Sequence, residues 1–155
     1  MSLEAAAKVP VAGRRLLLST GKADYGVQTS LQVRADRHAL YSNLAAVYYA
    51  GATQPVFQES QIIPTLILGY EFRWTDRTNI NLQGYYSRSA YTERTTALEE
   101  LNGDKYQLTL GFRHVRGDIL YSFGVTENLQ NINNTPDIGF QLGIAFIPAR
   151  VGDNR

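Results

Sequence analysis

Two histidines are the side chains in this sequence that could serve as the base of a Ser–His hydrolase. A hydrolase of the Ser–His type needs its histidine within hydrogen-bond reach of the nucleophile, and the sequence offers His38 and His114. His38 lies in a predicted tight turn and His114 lies beside another, so neither is near a long loop. No His, Asp or Glu residues have metal-site spacing, and there is no cysteine to form a thiolate site. We therefore expect no catalytic residue, no metal and no cofactor; a lipid-modifying enzyme that uses His114 is the least favoured hypothesis.

Four charged residues form a second candidate group, which we call the charge cluster. Its members are Arg34, Glu71, Arg73 and Arg113, and period-two spacing places all four on the polar face of predicted strands. Because an unpaired buried charge is costly, we expect Glu71 to pair with at least one of the arginines. The cluster predicts a structural network, and the alternative is a gate or an anion-contacting site.

The elements that carry these residues are predicted to be strands. Apolar and polar residues alternate from about residue 14 onward, and no helical pattern of useful length is present. Most of the runs are longer than an average strand of a globular protein. The predicted strands are Arg14–Thr20 (the weakest), Tyr25–Ala35, Ala39–Ala50, Gln61–Trp74, Asn79–Thr92, Lys105–Val115, Asp118–Thr126 and Ile138–Pro148.

The connections between these strands alternate in length. The Arg-Gly-Asp tripeptide at 116–118 separates two alternating runs, so it predicts a hairpin turn rather than an integrin-binding site. Residues 95–101 could form one or two helical turns inside a long loop. Short turns at one end and long loops at the other are typical of an outer-membrane meander. The short connections are 36–38, 75–78 and 116–117, and the long ones are 51–60, 93–104 and 127–137.

The polar face of the predicted strands lacks the side chains that usually meet bulk water. None of the three lysines lies in a strand interior, and Glu71 is the one acidic residue in mid-strand. Neutral hydrogen-bonding and small residues can instead pack a narrow polar lumen. Besides the charge cluster, this face contains Gln28, Ser30, Gln32, Thr65, Gly69, Asn81, Gln83, Ser87, Gln107, Thr109, Ser122, Gly139, Gln141 and Gly143.

The opposite face has aliphatic residues in mid-strand and aromatic residues toward the strand ends, as in the girdles of a membrane barrel. We therefore predict an all-β, up-and-down antiparallel transmembrane β-barrel of about eight strands, with a polar lumen and a lipid-facing apolar exterior. The alternative is a soluble, eight-stranded, lipocalin-like barrel that binds an apolar ligand. The predicted lipid-facing and girdle residues are Tyr48, Leu66, Leu68, Tyr70, Phe72, Trp74, Tyr106, Leu108, Leu110, Phe112, Phe140 and Phe146.

Composition and length are consistent with one barrel domain. We divide the 155 residues into an N-terminal segment at 1–13, a barrel at 14–148 and a tail at 149–155. Glu4–Lys8 reads EAAAK, a helical spacer sequence, which leaves open whether the first residues are native or vector-derived. No apolar run approaches the roughly 18–20 residues of a membrane helix. The net charge of +1 gives no reason to expect nucleic acid as a partner.

Several segments resemble known barrel sequences. The last strand, DIGFQLGIAF, resembles the C-terminal signal of outer-membrane barrels, although IPARVGDNR follows it here. Three further segments resemble an uncharacterised family of bacterial outer-membrane barrel proteins, a domain of unknown function. Members are about twice this length, so the chain resembles their C-terminal half and barrel closure stays open. These segments are STGKADYGV (19–27), YQLTLGFRH (106–114) and GVTENLQNINNTPDIGFQLGI (124–144).

The resemblance implies a location but no activity, since the family carries no established catalytic residues. We expect a protein of the Gram-negative outer membrane without enzymatic activity, in a structural, adhesive or small-solute-handling role. Its expected partners are a lipid bilayer or detergent and an outer-membrane lipid, with no nucleic acid. The oligomeric state and any substrate stay open.

Overall fold

A computed structural model of the chain describes residues 1–10, 21–51, 60–91, 102–129 and 138–147. These residues form one antiparallel sheet of eight strands, and each strand pairs with its neighbours in sequence. The prediction of an all-β, up-and-down meander is therefore confirmed. The strands are β1 (Ser2–Lys8), β2 (Asp24–Ala35), β3 (His38–Tyr49), β4 (Gln61–Thr75), β5 (Thr78–Ser87), β6 (Lys105–Arg116), β7 (Ile119–Asn128) and β8 (Ile138–Phe146).

The first strand is the one that the sequence did not predict. Helix-forming residues fill EAAAK, yet Ser2–Lys8 pairs with Asp24–Ser30 of β2 along its whole length. Tertiary pairing thus overrides local propensity in this segment. The predicted strand Arg14–Thr20 and the predicted helical turns at 95–101 lie outside the described residues.

The sheet of described strands is open, so the barrel predicted from the sequence is not closed within them. Among the described strands, β1 lies against β2 alone and β8 against β7 alone. Because β1 pairs with Asp24–Ser30, the segment Leu31–Ala35 of β2 has no neighbour on that side among the residues that the structure describes. Each strand pair follows from local alternation, whereas closure depends on the curvature of the whole sheet.

Connections of two lengths lie at opposite ends of the sheet, which we name the loop end and the turn end. The loop end carries the long connections after β1, β3, β5 and β7, and the turn end carries the tight turns after β2, β4 and β6. At the turn end, Asp36 and Gly117 adopt φ angles of 49° and 60°, a region that Asp and Gly tolerate better than most residues.

Each tight turn joins two strands of a hairpin and accepts a backbone hydrogen bond from the strand that follows this hairpin, or from the residue just after that strand. The amide of Arg73 donates to the carbonyl of Arg37 at 2.8 Å, and that of Val115 donates to Arg77 at 2.8 Å. The amide of Ile147 donates to Asp118 at 2.7 Å. The three turns are therefore fixed relative to the sheet.

The sheet has no conventional hydrophobic core within the described residues. Ala39, with 9% of its surface exposed, is the one apolar side chain there that counts as buried. No helix in the described part of the chain is long and apolar enough to cross a membrane.

Candidate functional site

Cross-strand register sorts the side chains into two faces, and we call one of them the apolar face. One row across the sheet illustrates it: Val33 pairs with Leu40, Leu40 with Tyr70, and the row continues to Phe140. Eleven of the twelve predicted lipid-facing residues lie on this face by register. Trp74 lies at the irregularity between Arg73 and Thr75, at the turn end, and is 61% exposed.

The apolar face is uncovered from one edge of the sheet to the other. Leu108, in the middle of the sheet, is 38% exposed, and Leu142, on the edge strand, is 85% exposed. Other exposed members of this face are Val27, Leu31, Leu40, Leu44, Ile62, Leu68, Leu82, Leu110, Phe112, Phe123, Phe140 and Ile144. An exposed apolar surface of this extent is rare on a monomeric soluble protein.

The apolar face has a depression at two small residues, one on each side of Leu68. Ser42 and Gly84 flank Leu68 in one cross-strand row, and the larger side chains of leucines surround them. The depression has a volume of about 550 Å³. It is lined by Leu31, Val33, Leu40, Tyr41, Ser42, Leu68, Gly69, Tyr70, Leu82, Gly84 and Leu108.

The second face, which we call the polar face, holds all the residues predicted for it. Cross-strand hydrogen bonds link its side chains: Asn43 Nδ2 donates to Ser30 Oγ at 2.7 Å. The Oγ1 atoms of Thr109 and Thr126 lie 2.8 Å apart. Neutral side chains therefore satisfy one another along this face, as a narrow polar interior would require.

The four residues of the charge cluster share the polar face at the turn end, but they are not ion-paired. Arg34 and Glu71 belong to one row and are separated by Ala39. Glu71 Oε1 accepts a hydrogen bond of 2.6 Å from Asn79 Nδ2. Within the described residues the one ion pair joins Lys8 to Asp24. The prediction that Glu71 pairs with an arginine is therefore wrong, because Asn79 on β5 donates to the carboxylate instead.

The ion pair between Lys8 and Asp24 links β1 to β2 at the loop end. Asp24 is buried and accepts hydrogen bonds from Lys8 Nζ and, at 3.0 Å, from the Ala50 amide. Burial raises the pKa of the Asp24 carboxyl group, but the two hydrogen bonds and the Lys8 charge together outweigh burial. The pKa therefore lies below its usual value.

The two histidines lie on the apolar face at the turn end. His38 Nδ1 lies 2.7 Å from the Tyr70 hydroxyl, and His114 Nδ1 lies 3.0 Å from Thr78 Oγ1. His38 also contacts Phe72, with ring centroids 5.2 Å apart. Each histidine is thus within hydrogen-bond distance of a hydroxyl group on a neighbouring strand. No group of three or more His, Asp or Glu residues within the described part of the chain could hold a metal ion.

A family model described as "Protein of unknown function (DUF3187)" matches residues 1–147. The chain belongs to the DUF3187 family. The resemblance to an uncharacterised family is thus confirmed, and the match includes β1 at the N-terminus. No curated protein and no solved structure matches the chain.

Sequence reasoning missed two features of this DUF3187 chain. Asn79 was not recognised as the partner of Glu71, because Asn79 pairs with Arg73 and reaches Glu71 only diagonally. The packing of Tyr41 over Gly69 also went unnoticed, although both occupy polar-face positions in neighbouring strands. Aligning the strands from their turns would have placed Tyr41 opposite Gly69 and Asn79 diagonal to Glu71.

Proposed function

We propose that this sheet forms all or part of the wall of a transmembrane β-barrel in the bacterial outer membrane, without enzymatic activity. In this proposal the apolar face meets hydrocarbon and the polar face lines an aqueous interior that handles small solutes or has a structural role. The observation that carries it is the uncovered apolar face, which is continuous across the sheet.

The free energy of exposing this face supports a non-aqueous environment. A large apolar side chain gains about 1.5–3 kcal/mol when it leaves water. A few such transfers equal the stability of a typical domain, which is about 5–15 kcal/mol. A sheet that leaves this many leucines, isoleucines and phenylalanines in water would bury them by association.

Strand length also supports the proposal. Strands β2 to β8 contain 9 to 15 residues. A tilted strand needs about 9–11 residues to cross the hydrocarbon core of a bilayer. The seven-residue β1 is shorter, and it lies at the loop end.

A closed barrel requires further strand pairing at the open edges of the sheet. In hydrocarbon each unpaired backbone group costs several kcal/mol, so spanning sheets are closed. In the proposed membrane state, the free sides of β1, β8 and Leu31–Ala35 therefore pair with strands. These strands come from outside the described sheet or from its own opposite edge.

Single-cysteine labelling tests which face meets lipid, because the chain contains no cysteine. Leu68→Cys and Leu110→Cys report on the apolar face, and Gln83→Cys and Thr109→Cys are matched controls on the polar face. Each variant carries an environment-sensitive fluorophore and is reconstituted into lipid vesicles. We expect lipid-attached quenchers to reach the first pair and aqueous iodide to reach the second.

Two results would overturn the proposal. One is a monodisperse monomer without detergent whose Leu68→Cys label is shielded from iodide, as the soluble, ligand-binding barrel requires. The other is quenching of the Gln83→Cys label by lipid. A folded, membrane-inserted barrel should also migrate differently on a gel before and after heating.

A further inference from the structure

Arginine is distributed unevenly between the two ends of the sheet. Of the seven arginines in the described residues, six lie at the turn end and Arg88 alone lies toward the loop end. All six turn-end side chains are exposed. They are Arg34, Arg37, Arg73, Arg77, Arg113 and Arg116.

The turn-end arginines form no ion pairs with nearby carboxylates within the described residues. Asp36, Asp76, Asp118 and Glu71 lie at the same end, but none forms an ion pair with an arginine in the described part of the chain. Arg73 donates only a long 3.4 Å hydrogen bond to the Asp36 carbonyl. The loop end differs, since Lys8 is paired with Asp24 and Lys22 donates to the Ala50 carbonyl.

Three of these arginines lie next to the end of the apolar face. Arg37 and Arg77 occupy the tight turns, and Arg116 belongs to the row that continues to Ile119 and Phe146 on the apolar face. The carbonyls of Arg37 and Arg77 accept the hydrogen bonds that tie the turns to β4 and β6. The guanidinium groups are therefore carried by a fixed backbone at one boundary of the apolar face.

We propose that Arg37, Arg77 and Arg116 bind the phosphate groups of anionic phospholipids in the leaflet at the turn end. This inference rests on the proposed membrane location and names the lipid class recognised there. A guanidinium group donates two parallel hydrogen bonds to a phosphate, which an unpaired arginine is free to do. An anionic surface adds attraction for each arginine that lies within a Debye length of it.

The single tryptophan provides a probe at the correct end. Trp74 is the one tryptophan of the chain and lies three residues before Arg77. The full chain is reconstituted into vesicles that contain brominated phosphatidylcholine or brominated phosphatidylglycerol, and quenching of Trp74 gives the relative affinity for each lipid. We expect phosphatidylglycerol to be preferred at least about fivefold, the effect of one arginine at an anionic surface.

Two variants that each lose three positive charges distinguish lipid binding by the turn-end arginines from a general effect of the protein's charge. The turn variant combines Arg37→Gln, Arg77→Gln and Arg116→Gln, and we expect it to lose the preference. The control combines Lys22→Gln, Arg88→Gln and Lys105→Gln, and we expect it to keep the preference. Without any variant, 1 M salt shortens the Debye length to about 3 Å and should also abolish the preference.

The outcomes distinguish this inference from the membrane proposal. Equal quenching of the wild-type protein by both lipids would overturn the phosphate site and leave the membrane location standing. A preference that survives in the turn variant or in 1 M salt would also overturn it. No quenching by either lipid would overturn the membrane location itself.

Discussion

The ring of Tyr41 on β3 lies over Gly69 on β4, in the space that a Cβ atom of residue 69 would occupy. The two residues are direct cross-strand neighbours on the polar face. Tyr41 is half-buried and Gly69 is buried. An aromatic ring that covers a glycine is a known way to fill the gap in a curved sheet.

A methyl group at Gly69 should therefore destabilise the sheet. We expect Gly69→Ala to lower the free energy of unfolding in detergent by about 1–3 kcal/mol, because the Tyr41 ring must leave its position. Gly84→Ala is the matched control, since an added Cβ meets nothing within 4 Å there. Tyr41→Ser should remove most of the penalty of Gly69→Ala, as coupled residues do in a double-mutant cycle. Equal losses at positions 69 and 84 would contradict this packing.

The hydrogen bond between Asn79 and Glu71 predicts that a hydrogen-bond acceptor at position 71 matters more than its charge. Glu71→Gln keeps an oxygen that can accept from Asn79 Nδ2, so we expect little change in thermal stability. Glu71→Met removes the acceptor and should cost about 1 kcal/mol. Thermal unfolding in a nonionic detergent measures both variants. A large loss in Glu71→Gln would instead indicate that an arginine depends on the negative charge.

The Lys8–Asp24 ion pair should make the stability of the protein fall at acidic pH. Because the pKa of Asp24 lies below its unfolded value of about 3.9, the stabilisation is present above that value. It is lost as the pH falls through the lower pKa of the folded state. Thermal unfolding between neutral pH and about pH 3 should show a steeper loss in the wild-type protein than in Asp24→Asn. Parallel curves would contradict the linkage, and Lys8→Met should resemble Asp24→Asn.

The edges of β1 and β8 could be covered by each other or by strands from elsewhere, and we expect the second because the described sheet is open. A protein with Ala6→Cys on β1 and Gln141→Cys on β8 should give no intramolecular cross-link with a short bismaleimide. Thr109→Cys with Thr126→Cys is the positive control, because these residues are direct neighbours. A cross-linked monomer would show that the sheet closes on itself, and a cross-linked dimer would identify a second copy as the partner.

Local alternation made much of this fold predictable. Six of the seven strands from β2 to β8 were predicted to within two residues at both ends, because a long run with a period of two indicates a strand. The prediction for β5 was wrong at its end, since the strand ends at Ser87 and not at Thr92. The division into faces followed from the same period, which is why Leu68 and Gln83 were assigned correctly to opposite sides.

Features that depend on a distant partner were not predictable from the sequence. β1 is held by its pairing with β2, and its alanines carry no alternation that would reveal a strand. Glu71 found a neutral partner because register places Asn79 diagonally beside it. Closure involves no local pattern at all, since it depends on strand tilt and on the twist accumulated over the whole sheet.

Because the tight turns lie at one end of the sheet and the long connections at the other, the two ends should differ in how well they tolerate insertions. One added residue in a tight turn would displace the amide–carbonyl bond that anchors it and slide the next strand by one position. Every leucine of that strand would then exchange sides with a glutamine or threonine. Inserted peptides should therefore be accepted in the connections after β3 or β5 and rejected in those after β2 or β4.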